Sequence, residues 1–305
     1  MARFGLLLKS FRGDFEYAQR LIVSFHEHNP TGLVMYCVVP AEDVELFTPL
    51  ASPTVIVMSE EPLSGYFTRD PVQGIRPGYI NQEIVKLAFW ELDLVDDYFC
   101  IDSDAVLVRD IGLSDFLAPS GAPYSVLVED NELKVEPQYY NAYWRSREQA
   151  VRRIADEVGV TDPVLRTCHG HQVFSSTVLQ SFKEDFLSPR GWSYLDALSI
   201  APYEFTWYNM WLQKSGVIPV NQREPLVKVF HHEAQHLEYI LRGITPDDIA
   251  RGYLALVVNS NYARDLGVTA IHESKPESLS RYLSYGEVGS VIAAKLRSTI
   301  SRLRS

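Results

Sequence analysis

The first hundred residues alternate between short apolar runs and segments of helical period, and few architectures accept that alternation. Residues 4–8, 33–39 and 54–58 are apolar runs of strand length. Residues 15–28 place Tyr17, Leu21, Ile22, Val23 and Phe25 near helical spacing, and Asn29-Pro30-Thr31-Gly32 breaks the chain behind them. Residues 41–47 predict a short acidic helix. Residues 60–78, rich in Gly and Pro, predict a long loop of the kind that often carries function. Helical period returns over 80–91, with Ile80, Ile84, Leu87 and Ala88 on one face and Gln82 and Lys86, four apart, on another. Residues 98–101 make a fourth strand. Strands alternating with helices predict an α/β fold with a mainly parallel sheet flanked by helices. Ligands of such sheets bind beyond the carboxyl ends of the strands.

The second half is less regular. Strands are expected at 124–128, 172–175 and 226–230, and helices at 145–158, 177–187 and 203–214. Thr245-Pro246-Asp247-Asp248 has the form of a helix start, predicting a helix to about Asn261. A last helix is expected over 277–303. The expected division is therefore a main body over 1–245 and a helical extension over 246–305.

Charge and cysteine usage narrow the function. The chain has 305 residues and a net charge of −11, which argues against a nucleic-acid binder. Cys37, Cys100 and Cys168 are an odd, widely spaced set that offers no disulfide framework. No signal peptide and no run of about 18 apolar residues is found, so a cytoplasmic location is expected.

Asp102-Ser103-Asp104 is the most informative stretch, because it follows the fourth apolar strand directly. A diphosphate leaving group and two aspartates are all anionic. A hard cation such as Mn²⁺ or Mg²⁺ lets them meet, because it accepts carboxylate, phosphate and water oxygens. The alternative is a surface turn whose aspartates cap backbone N–H groups.

With that triplet, the alternating first hundred residues and a late strand ending in His231, the sequence resembles glycosyltransferases of the GT-A fold, a Rossmann-related architecture. It is most similar to a family of uncharacterised bacterial proteins predicted to be such transferases. Their pattern resembles Gly78-Tyr79-Ile80-Asn81-Gln82-Glu83-Ile84-Val85-Lys86-Leu87, and the likeness covers about residues 4–264. The resemblance implies a transferase, hexosyltransferase-like, that moves a sugar from a nucleoside diphosphate sugar, commonly of UDP, to a hydroxyl acceptor. It implies Asp104 as a direct ligand of the metal, Asp102 on the ribose or a metal-bound water, and His231 as a further ligand. A saccharide or lipid-linked acceptor in bacterial polysaccharide or glycolipid synthesis is the expected partner.

Other residues complete the expected site. Lys86, with Gln82, is expected to face the donor nucleotide, where a cation neutralises phosphate; a solvated lysine is the alternative. His169 and His171 flank Gly170 and are candidates for the acceptor or diphosphate side, against a polar loop without a ligand. Inverting transfer requires a carboxylate base. Glu204, opening an aromatic-rich helix, is the first candidate, with Asp196 and Glu129 behind it; alternatively Glu204 only favours the helix N-terminus. Retaining transfer needs no such base, and the sequence leaves both open. His232-Glu233-Ala234-Gln235-His236 also fits the zinc-peptidase spacing, although Tyr239 and Arg242 stand where the extended pattern needs Gly and His. A sugar-binding module without turnover is a third reading. Finally, Val288, Ile292, Leu296, Ile300 and Leu303 share a helical face beside Lys295, Arg297, Arg302 and Arg304. That helix predicts peripheral contact with the inner face of a membrane, or packing on the body or a second subunit.

Overall fold

A computed structural model describes residues 3–127, 137–161, 171–230, 239 and 242–258. In chain order the elements are β1 (Phe4–Lys9), α1 (Phe15–Glu27), β2 (Val34–Val39), α2 (Val44–Phe47), β3 (Val55–Ser59), α3 (Pro77–Ala88), β4 (Asp97–Ile101), β5 (Ala105–Leu107) and β6 (Tyr124–Val126). They continue with α4 (Pro137–Val158), β7 (Val173–Ser175), α5 (Ser176–Ser181), α6 (Tyr194–Ile200), α7 (Glu204–Ser215), β8 (Asn221–Arg223), β9 (Val227–Phe230), α8 (Pro246–Ala250) and β10 (Ala255–Val258).

The chain forms two compact units, each discontinuous in sequence. The first comprises residues 1–15, 31–103 and 112–225. Its sheet has the order β3-β2-β1-β4-β7, parallel except for β7. The run β3-β2-β1-β4 matches the first four positions of the doubly wound strand order 3-2-1-4-5-6. The Rossmann-related, mainly parallel α/β sheet expected from the sequence is therefore present. Leu6, Leu7 and Leu8 of β1 and every residue of β4 are buried, the continuous apolar pattern of strands covered on both faces. Gly5 permits the close pairing of β1 with β2: a Cβ there would lie 2.9 Å from the Tyr36 ring and 3.1 Å from the Val34 carbonyl oxygen. Helix α3 packs on β1, α6 and α7, and α4 packs on α7. A short parallel pair, β6 with β8, completes this unit.

Pro77 sits in the first turn of α3, where its missing N–H costs nothing, so the helix begins earlier than its apolar period suggests. Within the expected long loop, residues Glu61–Tyr66 form a 3-10 turn. Asn81 then ties the loop to α3: its side chain accepts from the Thr68 N–H and donates to the Thr68 carbonyl, both at 3.0 Å. The expected helix over 177–187 is α-helical through Ser181 and continues as a π-helical turn, Phe182–Leu187.

The second unit comprises residues 16–30, 104–111 and 226–305. It holds most of α1, whose Ala18, Leu21, Ile22 and Phe25 are buried at helical spacing. Its sheet has the order β5-β10-β9. Strand β10 corrects the sequence reading. The Thr245 start is present, with its hydroxyl capping the Asp248 N–H, but the helix ends at Ala250 rather than near Asn261. Gly252 follows, and the apolar Leu254-Ala255-Leu256-Val257 run then favours a strand. β10 pairs in parallel with β9 and antiparallel with β5, so a segment expected in the helical extension is the middle of a sheet.

The expected last helix over 277–303, with its basic amphipathic stretch over 288–304, lies outside the described residues. Among the described residues no helix is long and apolar enough to cross a membrane.

Candidate functional site

The site in the first unit is built on one face of α3. Tyr79, Glu83 and Lys86 are spaced four and three residues apart and share that face. The hydroxyl of Tyr98 on β4 donates to the Lys86 carbonyl oxygen at 2.7 Å and fixes the last turn of α3 against the sheet. Asp102 follows the carboxyl end of β4, and Glu204 is the first residue of α7.

These elements bring three expected site residues together. Lys86 is buried, with its ammonium 3.2 Å from Asp102 Oδ1 and 2.9 Å from Glu204 Oε1. The same ammonium lies 4.9 Å from the centre of the Phe205 ring. Burial works against the lysine's charge, but Asp102 and Glu83 outweigh it and raise its pKa above the ordinary value. Burial likewise opposes ionisation of Asp102, and Lys86 and His171 reverse the balance, holding its carboxyl below the usual range. The Asp102 side chain is 36% exposed, so it is the part of this cluster that solvent or a ligand reaches.

His171 precedes β7, with its Nε2 3.9 Å from Asp102 Oδ2. Its φ of 68° places it in the left-handed region, a costly conformation that concentrates at functional sites. Gln172 anchors it: the Gln172 carbonyl accepts from the Cys100 N–H at 3.0 Å, and its side-chain amide donates to Asn209 at 2.6 Å. Gln82 is half-buried, one position before Glu83.

Glu83 was not singled out by sequence. It is 2% exposed, and its Oε2 has no hydrogen-bond partner among the described residues. Burial pushes its carboxyl up to about 7 against the pull of Lys86, with Asp102 adding to the rise. Tyr79, one helical turn earlier, is 36% exposed, and the Glu83 carboxyl is the largest influence raising its pKa. The Arg147 guanidinium stacks 5.0 Å from the centre of the Tyr203 ring, and both act electrostatically on Tyr79. The signal for this group is the spacing of Tyr79, Glu83 and Lys86.

The remaining expected residues fall elsewhere. Asp104 belongs to the second unit, half-buried, where it adds to the rise in the Tyr17 pKa that burial causes. Asp196 is engaged in capping α6, accepting from the Ser193 N–H and hydroxyl at 2.7 Å each. His169, His231, Glu129 and the His232-Glu233-x-x-His236 segment lie outside the described residues. Among the described residues no group of three or more His, Cys, Asp or Glu side chains is arranged to hold a metal ion. The donor set of the acidic triplet still suits a hard cation, which binds substrate phosphates through one or two carboxylates and keeps several waters. Asp102 offers an ionised, partly exposed carboxylate whose Oδ1 alone is engaged by Lys86.

A family model described as "Family of unknown function (DUF6492)" matches residues 6–236. No curated protein matches the chain. Among solved structures, apo mouse xyloside xylosyltransferase 1 is similar at 12% identity and a TM-score of 0.44, covering 85% of this chain and 98% of that one. The apo WbbM bifunctional glycosyltransferase is similar at 14% identity and a TM-score of 0.49; the match covers 92% of this chain and 51% of that one.

Proposed function

The chain belongs to the family DUF6492, and from that premise we propose that it is a GT-A-like glycosyltransferase using a nucleoside diphosphate sugar, with UDP as the first nucleotide to test. The observation that carries the reading is the charge cluster at the carboxyl end of β4, where Lys86 lies 3.2 Å from Asp102 and 2.9 Å from Glu204. That edge of a parallel sheet is where ligands bind, and a cation beside a carboxylate is the pairing a metal-bound diphosphate requires.

In this proposal Asp104 and Asp102 would hold Mn²⁺ or Mg²⁺, with His231 beside them, and the ion would neutralise charge on the departing diphosphate. Lys86, with Gln82, would face the donor phosphates beside the ion. Glu204 then has two roles to be separated. It accepts a hydrogen bond from the Lys86 ammonium at 2.9 Å and fixes it, and it is the first candidate for taking the proton of the acceptor hydroxyl. His169 and His171 belong to the acceptor or diphosphate side. The acceptor is a saccharide or lipid-linked hydroxyl, in bacterial polysaccharide or glycolipid synthesis.

The test is release of nucleoside diphosphate from a panel of nucleotide sugars with Mn²⁺ or Mg²⁺. Asp104→Ala should cut both donor binding and turnover by at least about a hundredfold, as loss of a metal ligand does. Unchanged donor affinity and turnover in that variant would sink the proposal.

A further inference from the structure

We propose that Glu83 is a sugar-recognition residue, its Oε2 accepting a hydroxyl of the transferred sugar in the donor, with Tyr79 as a movable cover. This rests on the glycosyltransferase reading and assigns the sugar pocket within it.

The argument starts from cost. A buried carboxylate oxygen without a partner is expensive, and folded chains rarely keep one without a use. Glu83 is 2% exposed and its Oε2 is such an atom. The surroundings do not repair the deficit. The Lys86 ammonium is within hydrogen-bond distance of both Asp102 and Glu204, so one lysine already serves two carboxylates. Glu83 is a third carboxyl in the same neighbourhood, and Asp102 raises its pKa while Lys86 and Arg147 lower it. A ligand bringing further negative charge would worsen this balance. A neutral group with an O–H would relieve it.

Position then names the group. Glu83 lies one helical turn from Lys86 on the same face of α3. With the diphosphate at Lys86 and Asp102, the part of the donor next in line is the sugar. Tyr79, one helical turn before Glu83, supplies an aromatic face of the kind that packs against sugar C–H groups. That ring, partly exposed, must turn aside to admit a hydroxyl. A carboxyl that titrates near neutrality can both accept and donate in such a bond.

The test uses the full chain and Glu83→Met, which keeps the volume and removes the acceptor. Titration calorimetry with Mn²⁺ would first compare UDP, GDP and dTDP, then the glucose, galactose, xylose and N-acetylglucosamine derivatives of the nucleotide that binds. The expected result is wild-type protein binding at least one nucleotide sugar more tightly than the bare nucleotide. Glu83→Met should lose about tenfold or more for that sugar, as expected for a hydrogen bond to a charged group. It should bind the bare nucleotide within twofold of wild type and keep or raise the melting temperature. A structural role would give the reverse signature, a lower melting temperature with sugar preference intact, and would overturn the proposal. So would wild-type protein that binds nucleotide without preferring any sugar, in which case the glycosyltransferase reading survives. If wild-type protein binds none of the nucleotides, that reading fails and takes this one with it.

Discussion

Lys86 serves two carboxylates at once, so its removal strands both. Lys86→Met leaves Asp102 and the buried Glu204 without their cation, and breaking a buried pair from one side costs about 3–5 kcal/mol. Urea unfolding should show a loss of that order, partly restored by adding Glu204→Gln. A loss under about 1 kcal/mol would mean the cluster is hydrated and the pairing weak. Asp97 offers a pH-dependent test away from the cluster. Burial at the start of β4 pushes its carboxyl up to about 6 from 3.8, against the opposing influence of Ser175 on the neighbouring strand. The folded state therefore holds this proton more tightly than the unfolded chain does. The group adds no penalty below pH 4, and it destabilises increasingly as pH rises from about 4 to 6, by up to about 3 kcal/mol at neutral pH. Asp97→Asn should raise the melting temperature at pH 7.5 and lose that advantage by pH 4; an advantage independent of pH would refute the assignment. At this scale the sequence is legible where chemistry clusters along the chain. Asp102 and Asp104 stand two apart behind an apolar strand, and Lys86 is the lone cation of its helix. Glu83 escapes notice because a Glu in a helix normally faces water; here the packing of α3 within the unit buries it.

Among the elements, Glu91 joins three that are distant in sequence. Its carboxylate accepts from Tyr66 at 2.7 Å, Lys183 at 2.6 Å and Tyr194 at 2.8 Å, tying the 3-10 turn before α3 to the π-helical turn and to α6. Glu91→Ala should cost about 2–3 kcal/mol, the loss of charge-assisted hydrogen bonds in a half-buried network, measured by urea unfolding. No change would show that Tyr66, Lys183 and Tyr194 find other partners. The elements of the first hundred residues were legible because strand length, helical period and Gly/Pro punctuation agree there. Later ones were not, for local reasons. Pro137 extends α4 at its start, ahead of the expected residue 145. The π-helical turn has no period that apolar residues reveal. β10 is too short to show a period, and the capped start at Thr245 concealed it by favouring a helix that stops within two turns.

For the whole molecule, the discontinuity of the second unit matters most. Residues 1–245 would keep β5 and β9 but lose β10, the strand between them. A chain ending at residue 245 should therefore be insoluble or bind the dye ANS, whereas the intact chain should not; a soluble, cooperatively melting 1–245 protein would show that this sheet is dispensable. The same topology sets a timetable during synthesis. The parallel strands β1 to β4 are complete once about a third of the chain has emerged, and each can find its neighbour early. β5 leaves the ribosome immediately afterwards, yet its partner lies 148 residues later, between Leu107 and Ala255. At about 5–20 residues per second that is a wait of roughly 7–30 s with an unpaired edge. The nascent chain is thus most exposed to mispairing midway through its manufacture, and a chaperone that shields apolar strands would act on residues 105–107 before any other part of the fold needed it.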